Sequence, residues 1–252
     1  MDLKCDWEKS KACVFRNFLG GYFHLIKEFD RVDLRGLLGL EAEIKKLEKN
    51  TLAFCEGKSA SNVLLWGARG CGKSSMMKGV FAKYLYEVDT PLRLVEIEKN
   101  DIHILPFLID DLRERSFRFV IYCDDLSFEV GDKSYKALKS VLEGSLEKKP
   151  ENVLVYATSN RRHLVAESEE VLEIHQNDVF DELISLSDRF GLSMGVYALG
   201  AEEYLAIVRS LCATEEEFLS IKNQAMNYAG IKGNRSGRSA KEFYKLYKNG
   251  II

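Results

Sequence analysis

The nine residues Gly67, Ala68, Arg69, Gly70, Cys71, Gly72, Lys73, Ser74 and Ser75 spell GARGCGKSS and fill the pattern G-x-x-x-x-G-K-[ST]. Glycines at these positions let the backbone curl so that successive N–H groups converge on phosphate oxygens. A helix starting at Lys73 would add the positive end of its dipole. The Lys73 ammonium suits the β and γ phosphates, and the Ser74 hydroxyl suits a Mg²⁺ ion. The expected ligands are therefore ATP and Mg²⁺.

A second group lies downstream. Residues 119–125, FVIYCDD, are an apolar run ending in two carboxylates. Asp124 is placed for the Mg²⁺ shell and Asp125 for an attacking water. A strand running into an acidic turn is the plain alternative, and the phosphate loop upstream outweighs it. A third run, Val153 to Thr158, leads into Ser159 and Asn160. The Asn160 amide could hold the water or the γ-phosphate, or it could be a simple turn residue; the two readings stand level.

These groups need a scaffold that brings several loops to one edge. The run from Asn62 to Trp66 is apolar throughout, as a parallel strand buried on both faces requires. Further strands are expected at Arg93 to Glu98, Phe117 to Cys123, Val153 to Thr158 and Leu192 to Ala198. Helices are expected at Glu41 to Glu56, Lys73 to Tyr86, Asp101 to Arg115, Lys133 to Glu147 and Val179 to Ser187. Alternation of this kind predicts an α/β fold with a parallel sheet covered on both faces and ligands at the carboxyl ends of its strands. Trp7 to Phe23 mixes aromatic and charged residues without a clean period and is expected to be a helical lead-in. After Gly200 only helices are expected, at Glu202 to Cys212, Glu215 to Ala229 and Ser239 to Lys248. The domains are therefore 1–199, the nucleotide-binding core, and 200–252, a helical lid.

Composition narrows the setting. A chain of 252 residues with 46% hydrophobic and 30% charged residues can bury a sizeable core and is not a disordered chain. A net charge of -3 argues against a generally basic, DNA-coating protein. Six cysteines without a CxxC pair, and no recognisable signal peptide, point to free thiols in the cytoplasm. The apolar runs are too short for a membrane span. Residues 167–182 carry seven acids and no Lys or Arg and read as an exposed connection, whereas Lys232, Arg235, Arg238, Lys241, Lys245 and Lys248 make the tail basic.

In this order the elements resemble the AAA+ ATPases. GARGCGKS looks like their Walker A motif, YCDD like Walker B, and ATSN like the sensor-1 strand, ending here at Asn160. LSDRF, with Arg189 and Phe190, is similar to the segment that carries their arginine finger, and RSGRSA, around Arg238, to the sensor-2 segment of their lid. More closely, LLGLE, NVLLWGARGCGKSS, CDDLSFE, LEGSLE, NVLVYATSNRRHLV, LSDRFGL and NRSGRSAKEFY look like a bacterial AAA+ family known as a domain of unknown function. The resemblance implies a core strand order 5-1-4-3-2, catalytic roles for Asp125, Asn160, Arg189 and Arg238, and an adenine pocket near Leu37, Leu38 and Gly39. It also implies a homo-oligomer with ATP sites at subunit interfaces. The partner it would act on, protein or nucleic acid, is not indicated. Two departures matter: Asp125 stands where many AAA+ motors have Glu, and no aromatic pore-loop motif lies between Asn100 and Leu108.

Three functions compete. One is an oligomeric ATPase that remodels or moves a macromolecule. Another is a slow ATP-gated switch or loader, and the third, a small-molecule kinase, is disfavoured because no acceptor pocket is evident.

Overall fold

The strand β3 (Val63–Trp66) shows how the sequence builds the centre of the molecule. Its side chains alternate, Val63 and Leu65 facing one layer and Leu64 the other, so an all-apolar run is needed where helices cover both faces. The computed structural model describes residues 5–18, 20–129, 132–144, 148–164 and 184–252.

The strands β1 (Ala12–Arg16), β2 (Tyr22–Leu25), β3, β4 (Leu92–Ile97), β5 (Arg118–Cys123), β6 (Val153–Ser159) and β7 (Leu192–Gly195) form one sheet in the order β2-β1-β4-β5-β6-β3-β7. Every pair is parallel except β1 with β2. Counting β3 to β7 as the first to fifth core strands gives 5-1-4-3-2, the order that the resemblance implies, with the β1–β2 hairpin added beyond β4.

Helices α1 (Glu41–Cys55) and α2 (Lys73–Ala82) cover one face of the sheet, where Leu47, Phe54, Met76, Met77 and Val80 pack on Val63, Leu65, Val120 and Tyr156. Helices α3 (Leu105–Arg113) and α4 (Tyr135–Glu143) cover the other, with Leu105, Leu108, Leu112, Leu138 and Leu142 against Leu64, Val95, Ile121 and Val155. Each fully buried aliphatic side chain contributes about 1.5–3 kcal/mol relative to exposure.

The helical lead-in is corrected by the structure, because Ala12–Arg16 and Tyr22–Leu25 are strands. Cys13 and Phe15 point into the core, and the chain from Ala12 to Val14 pairs with Leu94 to Glu96. That pairing covers an edge of β4 that would otherwise expose a row of unpaired backbone groups. Smaller differences lie at helix ends. The segment Lys99–Ile104 is 3-10 before α3 begins, and α4 stops at Glu143 because Gly144 turns to φ 85°. Of the expected helix 179–187, only 184–187 falls among the described residues, within a helical turn at 184–188. The acidic connection 167–182 lies outside them.

The last three helices, α5 (Ala201–Leu211), α6 (Glu215–Ile231) and α7 (Gly237–Lys248), pack around their own cluster of Tyr204, Phe218, Ala225 and Phe243. Thr214 caps α6 by accepting from the Glu217 amide, and three glutamates in the first turn favour the helix dipole. Among the described residues no helix is long and apolar enough to cross a membrane.

Candidate functional site

Four strand ends meet the phosphate loop. β3 leaves the sheet at Gly67, whose φ of 144° and surroundings admit no side chain: a Cβ there would lie 1.8 Å from the Val196 carbonyl oxygen. The Gly67 amide donates to the Ser159 carbonyl at 3.1 Å, so the loop is pinned between β6 and the end of β7. Gly67→Ala combines this clash with a backbone conformation that costs about 1–3 kcal/mol for other residues, and the total should reach about 3 kcal/mol. The expected result is a fall in Tm of about 6–12 °C by scanning calorimetry.

Beyond Gly67 the chain curls through Gly70 and Gly72, both at positive φ, and enters α2 at Lys73. The Lys73 side chain is buried. Its ammonium donates to the carbonyls of Gly67 (2.7 Å) and Ala68 (2.8 Å) and to Asn160 Oδ1 (3.1 Å), with Cys71 Sγ at 3.8 Å. A buried ammonium needs such a shell, and the loop carbonyls supply it.

One turn of chemistry connects α2 to β5. Ser74 Oγ donates to Asp124 Oδ1 at 2.8 Å, and the Tyr122 hydroxyl donates to the same oxygen at 2.8 Å. The Thr158 hydroxyl donates there too and accepts from the Asp125 amide at 2.9 Å. Asp125 takes the left-handed conformation, φ 53°, and its carboxylate accepts from Asn160 Nδ2. Asn160 therefore bridges Lys73 and Asp125. Burial, and after it the charge of Asp124, raises the Tyr122 hydroxyl well above its ordinary value, so it remains a donor. The same two causes, in the same order, raise Glu96 on the neighbouring strand.

Lys73, Ser74, Asp124, Asp125, Thr158 and Asn160 line a cleft of about 650 Å³. Arg69, Gly70, Cys71, Gly72, Lys73, Ser74 and Ser75 form one wall, with Asp124, Asp125, Thr158 and Asn160 beside them. Leu37, Leu38, Leu40, Leu199 and Ile207 make its apolar end, and Arg238 and Lys241 of α7 close over it. The cleft can take a polyanion at one end and a flat apolar group at the other.

Of the residues singled out from sequence, Gly39 stands behind this wall, at φ 79° and next to Leu199 and Glu203. Gly67 and Ala68 contribute carbonyls to Lys73. Arg189 is not in this cleft. It lies just before β7, pairs with Glu143 and donates to Ser185 Oγ at 2.7 Å. Thr158, Tyr122 and Lys241 were not among the expected site residues. Thr158 had a signal, since it lies two positions before Asn160 at the carboxyl end of the same strand.

The parallel sheet with strand order 5-1-4-3-2, the phosphate loop after its central strand and the paired carboxylates define an AAA+ class P-loop protein. The chain belongs to the family described as "Protein of unknown function (DUF815)", whose model matches residues 8–251. No curated protein matches. Among solved structures, the Thermotoga maritima RuvB Holliday junction branch migration motor is similar at 14% identity and a TM-score of 0.44, over 82% of this chain and 69% of that one. Two RuvB variants from the same organism give 15% and 14% identity and TM-scores of 0.46 and 0.47; the matches cover 85% and 82% of this chain and 71% and 70% of theirs.

Proposed function

We propose that this cleft binds Mg-ATP and that the chain hydrolyses it in a homo-oligomer to remodel or move a macromolecular partner. The observation that supports this most is the Ser74–Asp124 hydrogen bond, which joins a hydroxyl of the phosphate loop to a carboxylate of the neighbouring strand. Those are the two protein groups that hold Mg²⁺ in P-loop proteins. The apolar end at Leu37, Leu38 and Leu40 would take the adenine. Lys73, Arg238 and Lys241 would take the phosphates, Asp125 would orient or deprotonate the attacking water, and Asn160 would hold it.

Lys73→Ala tests the binding part. Two charge-assisted hydrogen bonds to phosphate contribute about 3 kcal/mol or more, so the Kd for Mg-ATP should rise at least about a hundredfold. The variant should stay folded, because what it loses on the protein side is one donor to two loop carbonyls and to Asn160 Oδ1 at the edge of the cleft. Calorimetric titration that returned an unchanged Kd would sink the assignment.

A second reading is a slow ATP-gated switch or loader. It is favoured by Asp125 being one methylene shorter than Glu and having its carboxylate tied to Asn160. Turnover well above about one per minute, stimulated by a partner, speaks for the motor; slower turnover with ATP-dependent assembly speaks for the switch.

A further inference from the structure

The helical bundle touches the phosphate loop directly. Asn234 Nδ2 donates to the Arg69 carbonyl at 3.1 Å, across 165 residues of sequence. Gly70 is what permits the approach: a Cβ there would stand 3.1 Å from Ser236 Oγ and 3.3 Å from Asn234 Nδ2. Asn234 is held on both sides. Its amide donates to the Ala229 carbonyl at the end of α6 (3.1 Å), and its carbonyl accepts from Ser239 Oγ in the first turn of α7 (3.0 Å). Ser236 and Ser239 cap each other across the same turn. Arg238 and Lys241, the two cations that α7 brings over the cleft, therefore stand on a stiff mount whose foot is Asn234.

We infer that Asn234 is a latch: it ties α7 to the Arg69–Gly70 peptide, so the conformation of the phosphate loop sets where Arg238 and Lys241 stand. The inference rests on the nucleotide reading of the cleft and adds a positioning residue to it. The acceptor is a main-chain carbonyl. A ligand that turns the 69–70 peptide thus makes or releases the latch without any change at the Arg69 side chain, and binding at one wall is transmitted to the other.

The test uses the full chain with Asn234→Ala and Asn234→Asp, the latter nearly isosteric but without the donor. Loss of one hydrogen bond lowers the population of the bundle in its seated position, so Mg-ATP should bind about three- to tenfold more weakly. In an Arg238→Ala, Lys241→Ala background the same replacement should change the affinity less than about twofold, because the residues it positions are gone. An equal loss in both backgrounds would show a merely structural role and overturn the inference, as would no loss in the native background. Hydrogen exchange of the nucleotide-free protein reads the contact by itself: segments 66–75 and 230–241 should exchange faster in Asn234→Ala, and unchanged exchange refutes the latch. If the native chain does not bind Mg-ATP, the nucleotide reading falls on its own, and the exchange comparison still decides whether the latch exists.

Discussion

Asp125→Asn is expected to bind Mg-ATP within about threefold of the native affinity and to hydrolyse it about 10²–10⁴-fold more slowly, the range associated with loss of a positioned general base. The backbone favours this substitution as a clean probe. Asp125 sits at φ 53°, a conformation that Asn tolerates as well as Asp, and its amide keeps the bond to Thr158 Oγ1. Asp124→Asn should behave differently. Three hydroxyls, from Ser74, Tyr122 and Thr158, converge on its Oδ1, so the carboxylate is held at the point where Mg²⁺ is proposed to sit. Removing its charge should raise the Mg²⁺ concentration needed for half-maximal activity, which a metal titration at saturating ATP measures. Full hydrolysis by Asp125→Asn would move the base elsewhere. Glu129, the next carboxylate of the same segment, would be the first candidate, although neither it nor Glu96, on the strand beside Tyr122, lines the cleft.

What could be read from the sequence follows how local each signal is. The phosphate loop, its preceding strand and its following helix are contiguous, so nine residues between an apolar run and a helix suffice to predict them. The paired carboxylates and Asn160 are equally local, each at the end of an apolar strand. The β1–β2 hairpin was not legible because its reason is remote: Ala12 to Val14 form a strand by pairing with Leu94 to Glu96, about eighty residues on. The burial of Lys73 was not legible because two of its acceptors are main-chain carbonyls, which carry no residue code, and a third, Asn160, is 87 residues away. Asn234 is invisible for the same reason, since its partner is a carbonyl 165 residues away. Thr158 is the exception, a hydroxyl in plain view within ATSN, two positions before the amide that ends the string.

Arg189→Ala is expected to lower turnover about 10³–10⁵-fold while leaving Mg-ATP binding to the same subunit unchanged, the size of effect an arginine finger has in P-loop systems. Arg189 is out of reach of the cleft in its own chain, so the proposed role is one in trans, on the ATP site of another subunit. Arg189 precedes the start of β7, whereas the phosphate loop follows the end of β3, and parallel strands put those points at opposite ends of the sheet. Within one chain Arg189 instead lines a second cleft with Lys58, Arg118 and Gly191. The competing account is its pair with Glu143, partly exposed on both sides, which would contribute at most about 1 kcal/mol to stability and nothing to hydrolysis. Mixing separates the two. Arg189→Ala and Asp125→Asn should each be inactive alone, yet a 1:1 mixture should recover about a quarter of native activity in a head-to-tail assembly. Half the sites then keep Asp125, and half of those face a neighbour that keeps Arg189. Subunit exchange has to be shown independently, by energy transfer between donor- and acceptor-labelled subunits. With exchange demonstrated, zero recovery rules out action in trans, and normal turnover by Arg189→Ala alone leaves Arg189 as nothing more than the partner of Glu143.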